Sequence, residues 1–204
     1  MKAEERTEIF ETVKADFIRR GYTAEEKTIS VLKANVMAFV TAGPVAVIFG
    51  IIYGALVPWK DIEFSLSASL WLLGAFAASV FVHEWLHGLG WGLFCRDKSS
   101  ISYGVMWKML TPYCSCSEPL RTGAYAFGGL MPFMVLGIGL FAVSLAVQSR
   151  FLLYISLINI LSAGGDTTIA LMLPKYKNAY IIDHPTQCGF VALTKNPKVH
   201  IDKI

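Results

Sequence analysis

Residues 81–90 read FVHEWLHGLG and place two histidines and a glutamate within five positions. His83, Glu84 and His87 fit the pattern H-E-x-x-H. On a helix, residues four apart lie about 40° apart around the axis and one turn along it, so both imidazoles can meet one metal ion. Glu84 lies on the same side and can reach a water beside that ion. The chemistry this spacing serves is hydrolysis, with Glu84 as general base and zinc as the metal. Two histidines do not complete a catalytic zinc site, which commonly takes three protein ligands. Asp166 is the only other Asp, Glu, Lys or Arg within the long apolar stretches and is the expected third ligand. Zn²⁺ with ionised Asp166 and Glu84 would be formally neutral, so each carboxylate would gain a partner that an apolar setting otherwise denies it.

These groups need elements to carry them, and the composition says which. Of the 204 residues, 54% are hydrophobic and only 16% charged, with a mean hydropathy of +0.52. Soluble domains carry about 25% charged residues. Residues 34–59 hold no Asp, Glu, Lys or Arg, nor do 64–82 or 122–149, and 151–174 hold Asp166 alone. About 20 apolar residues suffice to span a bilayer. The expected fold is an all-α integral membrane protein of one domain, with four transmembrane helices over 34–59, 64–95, 122–149 and 151–174. An N-terminal amphipathic helix and small cytoplasmic β elements complete it, and 1–33, 96–121 and 175–204 are the extensions. The start, MKAEERTEIF, lacks the apolar core of a secretory signal, so the first span is expected to insert uncleaved.

Lys and Arg set the orientation. Sixteen of the eighteen fall in 1–33, 95–121 and 175–204, against Lys60 and Arg150 in the other two connections. The positive-inside rule places both termini and the 95–121 loop in the cytoplasm. The net charge of +3 gathers on one membrane face, which suits the lipid bilayer and gives no reason to invoke nucleic acid. Cys95, Cys114, Cys116 and Cys188 fall on that same side, where disulfides are not expected. The spacing from His87 to Arg96 and from Asp166 to Lys175 is nine residues in each case. At 1.5 Å per residue both sit about 13–14 Å from the same boundary, which matches their depths.

Apolar residues at helical spacing (Ile9, Phe10, Val13, Phe17) predict an amphipathic helix over 3–20, stopped at Gly21. Thr23–Glu26 has capping-box spacing and predicts a helix leading into the first span. Gly43-Pro44 predicts a kink in that span, and Pro132 a bend in the third. Partial alternation in 101–109 predicts a strand or hairpin, whose edge could pair with an unwound substrate through the backbone around Val105. Two short strands are expected around Ile181-Ile182 and Phe190–Leu193, on either side of a turn at Pro185. Gly88, Gly90 and Gly92 could admit a close backbone or serve helix packing.

The chain also resembles a known group. HEWLHG on one span and an aspartate preceded by small residues on a later one are similar to the intramembrane site-2 proteases. The closer resemblance is to a family of four-span zincin peptidases, carried by HEWLHG, PYCSCSEPL, GGLMP, NILSAGGD and DHPTQCGF. It implies a zinc-dependent peptidase acting on a membrane protein or peptide substrate, in a prokaryotic plasma membrane. It also implies Asn159 as a candidate substrate-binding residue. In the site-2 pattern an Asn and prolines precede Asp-Gly, whereas here Thr167 follows Asp166 and the local prolines are missing. Should Asp166 not serve as third ligand, Asp183 and His184 are the next choices. Two other function classes fit the same residues. A metal-binding carrier or scaffold would need the histidines but not Glu84 as a base. A proton or ion pathway through Glu84 and Asp166 would need no metal.

Overall fold

The computed structural model describes residues 3–58, 65–106 and 111–195. Helix α1 (Ala3–Arg19) comes first and ends at Gly21, whose φ of 82° is the left-handed conformation that stops a helix. Next is strand β1 (Tyr22–Ile29). This corrects the helix predicted from Thr23–Glu26. Those residues pair instead with the far end of the chain, Tyr22 opposite Lys195 and Ile29 opposite Cys188. Cross-strand pairing supplies what the local capping signal could not outweigh.

The first apolar stretch forms α2 (Val31–Thr41) and α3 (Gly43–Leu56), with Pro44 in the first turn of α3. Proline has no amide hydrogen and is best tolerated there, so the break falls where Gly43-Pro44 predicts it. Helix α4 (Leu66–Gly92) is an unbroken 27 residues. Helix α5 (Thr122–Pro132) passes into a π-helical turn (Phe133–Gly139) and then α6 (Leu140–Ala146). The irregularity begins at Pro132, where the predicted bend lies. Helices α7 (Arg150–Ser162) and α8 (Gly164–Met172), with a short 3₁₀ turn to Tyr176, are bent by 44° at Ala163. Residues 151–174 are therefore not one straight span.

Three helical stretches, Leu32–Leu56, Leu66–Gly92 and Thr122–Ala146, are long and apolar enough to cross a membrane; the bent pair makes a fourth if counted as one. Their outward faces carry large apolar side chains such as Phe39, Ile51, Trp71 and Phe81, each more than 60% exposed.

The β content is larger than an all-α description allows. Strand β2 (Ile101–Met106) falls within the predicted 101–109 stretch, and it forms a hairpin with β3 (Thr111–Cys116), which lies beyond that stretch. Strands β4 (Leu120–Arg121), β5 (Tyr180–Asp183) and β6 (Cys188–Lys195) join β1 in an antiparallel sheet of order β1-β6-β5-β4. Strand β6 is buried on both faces over Phe190–Leu193, which is why FVAL reads as a continuous apolar run. Ile182, Val191 and Leu193 pack with Phe10 of α1. Ile181, Phe190 and Ala192 pack with Trp91, Tyr125 and Leu173 from the helical bundle. The sheet thus braces the ends of α4, α5 and α8, the three helices that surround the site.

Candidate metal centre

The structure brings His83, His87 and Asp166 together, one donor atom from each lying within 4.8 Å of the others. The individual separations are tighter. Nε2 of His83 is 3.1 Å from Oδ2 of Asp166, Nε2 of His87 is 3.4 Å from Oδ1, and the two Nε2 atoms are 3.2 Å apart. Four ligands held tetrahedrally at zinc bond lengths of about 2.0–2.1 Å stand about 3.3 Å from one another. Each imidazole nitrogen is thus at ligand-to-ligand distance from the other and from one carboxylate oxygen, Asp166 facing His83 with Oδ2 and His87 with Oδ1.

The donor chemistry agrees with this spacing. Nδ1 of His87 lies 3.0 Å from the carbonyl oxygen of Gly128. A carbonyl only accepts, so Nδ1 carries the hydrogen, and in its neutral form the ring turns the Nε2 lone pair toward Asp166. Two acceptors facing each other are repulsive unless a cation or proton stands between them, and a backbone acceptor on the distal nitrogen is the usual partner of a metal-ligating histidine. The group fits zinc, with His83, His87 and Asp166 as the residues that would hold it. The centre is partly open: side-chain exposure is 24% for Asp166, 12% for His83 and 6% for His87.

Each ligand is placed by local packing. His83 and His87 sit one turn apart on α4. Below them α4 and α5 approach closely, and a Cβ on Gly90 would fall 2.7 Å from Cα of Gly128. That approach sets the Gly128 carbonyl against His87. The His87 ring stacks on Trp91 (5.1 Å between centroids) and Trp91 on Tyr125 (5.5 Å). Nε1–H of Trp91 donates to the Tyr125 carbonyl at 2.9 Å. Asp166 lies in the first turn of α8, just past the bend. Helix α8 is held to α2, because Thr41 Oγ1 lies within hydrogen-bond distance of the hydroxyls of Thr167 (2.9 Å) and Thr168 (3.4 Å). A Cβ on Gly164 would fall 2.2 Å from that of Ala38, so only glycine permits this contact.

Glu84 accepts a hydrogen bond from the backbone amide of Cys114 in β3. Two residues on, the amide of Cys116 donates to Oδ2 of Asp183 at 2.8 Å. Both amides leave the same edge of β3, the edge not used to pair with β2. The strand whose amide meets the H-E-x-x-H helix is therefore 111–116. Val105, opposite Pro112 on β2, turns its own amide to the far side of the hairpin. Gly88 makes room for a side chain of β2 against α4: a Cβ there would fall 1.9 Å from the Tyr103 hydroxyl. A Cβ on Gly92 would meet nothing within 4 Å.

The remaining candidates have other duties. Asn159 is 2% exposed and donates its side-chain amide to the Ile155 carbonyl of its own helix at 2.9 Å. Nδ1 of His184 accepts from the amides of Thr186 and Gln187 at 3.3 and 3.0 Å, which shapes the turn around Pro185. Asp183 accepts from the Tyr125 hydroxyl at 2.5 Å as well as from Cys116, joining β5, β3 and α5. Burial raises its carboxyl to about 6, and those two hydrogen bonds oppose the rise. The Cys95 and Cys116 sulfurs touch at 3.4 Å, and burial pushes the Cys114 and Cys116 thiols well above the usual range.

Sequence reasoning did not find Gly128, Trp91, Tyr125 or the Cys114 amide. The small-residue run GGLMP was the available signal for the first. The backbone donor has no residue signature at all.

No curated protein and no solved structure matches the chain at a significant level. Residues 76–181, just over half of the chain, match the sequence model of a family described as "Putative zincin peptidase". The matched segment contains the whole donor triangle, Glu84 and the β3 edge, and on that match the chain belongs to the zincin peptidase family so described.

Proposed function

We propose that this protein is a zinc-dependent peptidase embedded in a membrane, cutting peptide bonds within or close to the bilayer. The observation that carries the reading is the convergence of His83, His87 and Asp166, with 3.1 and 3.4 Å from the imidazoles to the two carboxylate oxygens and 3.2 Å between the rings, one residue away from a glutamate held by a strand amide. Zinc, when bound there, supplies the Lewis acidity that eases loss of a proton from water and polarises a carbonyl.

This chain's residues do the rest. His83, His87 and Asp166 hold the ion, and the Gly128 carbonyl fixes the His87 ring. Glu84 takes the proton from the attacking water and delivers it to the leaving amine nitrogen. The Cys114 amide keeps the Glu84 carboxylate in place between these two transfers. Trp91 and Tyr125 fill the space behind His87 and exclude water from that side. The partly exposed Asp166 marks the side from which water and substrate enter, which we assign to the cytoplasmic face by the Lys and Arg distribution. A helical substrate hides its amides, so the scissile segment must unwind before it reaches the ion.

The test is metal analysis and peptide hydrolysis on the purified wild type beside Glu84→Gln. Zinc retained with hydrolysis lost supports the reading. A biological effect that survives Glu84→Gln unchanged would favour a metal carrier or scaffold instead.

A further inference from the structure

A second feature lies outside the centre, at the end of the spans that carries the sheet. A cleft of about 710 Å³ opens between the last turn of α4 and the first of α5. It begins two residues past the apolar stretch ending at Gly92 and one before that starting at Thr122. Three arginines line it, Arg20, Arg96 and Arg121, against one carboxylate, Glu118.

The carboxylates leave most of that positive charge free. Glu118 turns toward the backbone and accepts from the amides of Arg96 (3.0 Å) and Asp97 (3.3 Å). Asp16 pairs with Arg20 and Arg19. Among the described residues, no ion pair engages the guanidinium of Arg96 or Arg121. Arg121 lies over the Tyr180 ring at 4.3 Å, which holds it in place and leaves its N–H edge free to donate.

The wall toward the spans is apolar. Phe94 lines the cleft and meets Phe127 edge-on at 5.6 Å, and both rings are about half exposed. A guanidinium pair above exposed aromatic rings, at the rim of two membrane spans, matches one ligand chemistry: a phosphate attached to acyl chains. We propose that this cleft binds the phosphate of an anionic glycerophospholipid, with Arg96 and Arg121 on the phosphate and the acyl chains along Phe94 and Phe127. The assignment rests on the membrane placement given above but not on peptidase activity. Basic pockets between membrane helices recognise lipid headgroups through the same physics.

The experiment is native mass spectrometry of the full chain in detergent, titrated with dioleoyl phosphatidylglycerol, dioleoyl phosphatidylcholine or glycerol 3-phosphate. One phosphatidylglycerol should be retained in preference to phosphatidylcholine. The paired substitution Arg96→Gln with Arg121→Gln should weaken it about 30-fold, each surface cation contributing about fivefold. Arg96→Lys with Arg121→Lys, which keeps the charge, should retain most of the binding. Lys177→Gln, on the same face but outside the cleft, should change nothing. Equal binding by the paired Gln variant overturns the proposal, as does an equal loss in Lys177→Gln, which would mean diffuse attraction. Glycerol 3-phosphate binding as tightly as the lipid would overturn the lipid assignment. A chain that stays monodisperse without detergent would instead refute the membrane placement.

Discussion

Asp166→Ala tests the donor triangle most directly. Two of the three short separations, 3.1 and 3.4 Å, involve Asp166, so the substitution leaves only the pair of imidazoles 3.2 Å apart. It also removes the one ligand that brings negative charge. Loss of an outer-shell partner typically weakens metal binding about 10–100-fold. Loss of a ligand should cost at least the upper end of that range, about 100-fold or about 2.7 kcal/mol. Asp166→Asn keeps an oxygen in place without its charge and should fall between wild type and Asp166→Ala. The assay is zinc partition between the purified protein and a chromophoric chelator of known affinity, with zinc per chain counted after dialysis. Ser162→Ala, one helical turn away and bonded only to the Ile158 carbonyl, is the control. Zinc affinity within about twofold of wild type in Asp166→Ala would refute the assignment and the charge argument behind it.

Four further outcomes are expected. Glu84→Gln should retain zinc and lower peptide hydrolysis by about 10²–10⁴-fold, read as turnover at saturating zinc. Cys114→Pro removes the amide that holds Glu84 and should lower turnover well below that of Cys114→Ala, whereas Val105→Pro, on the far edge of the hairpin, should leave it nearly unchanged. Gly90→Ala forces a Cβ toward the Gly128 backbone and should destabilise the protein by about 1–3 kcal/mol in chemical denaturation while weakening zinc binding through the displaced Gly128 carbonyl. Asp183 is raised from about 3.9 in the unfolded chain to about 6. The folded state therefore binds the proton more tightly, and the stabilisation, up to about 3 kcal/mol, is full below pH 4 and lost as pH rises through 6. Asp183→Asn should remove that slope between pH 4 and 7.

The donor set could be read from sequence because ionisable residues are conspicuous in apolar runs, where each costs about 2.5–3.5 kcal/mol on insertion scales. His83, Glu84, His87 and Asp166 stood out for that reason, and α4 was visible from its length. The strands at 180–195 and the first strand of the hairpin, within 101–109, were legible from β-branched and aromatic residues and from the flanking turns, whereas β3 at 111–116 was not. Strand β1 was not, since YTAEEKTI is rich in charge, and a local capping signal competed with a pairing partner about 160 residues away. The bend at Ala163 left only SAGGD as a trace. Hydrophobic alternation placed Val105 on a strand without saying which edge of the hairpin faces the neighbouring helix; that edge belongs to β3.

The contact between Gly164 and Ala38 has a consequence for how the centre could be altered from a distance. Because the chain bends before Asp166, the carboxylate takes its bearing from the first span through Thr41, Thr167 and Thr168, more than from the helix preceding it in sequence. Sliding α2 along its axis would carry the carboxylate away from the two imidazoles while leaving α4 untouched. On the membrane placement proposed above, bilayer thickness would then reach the centre through a clasp of three threonines.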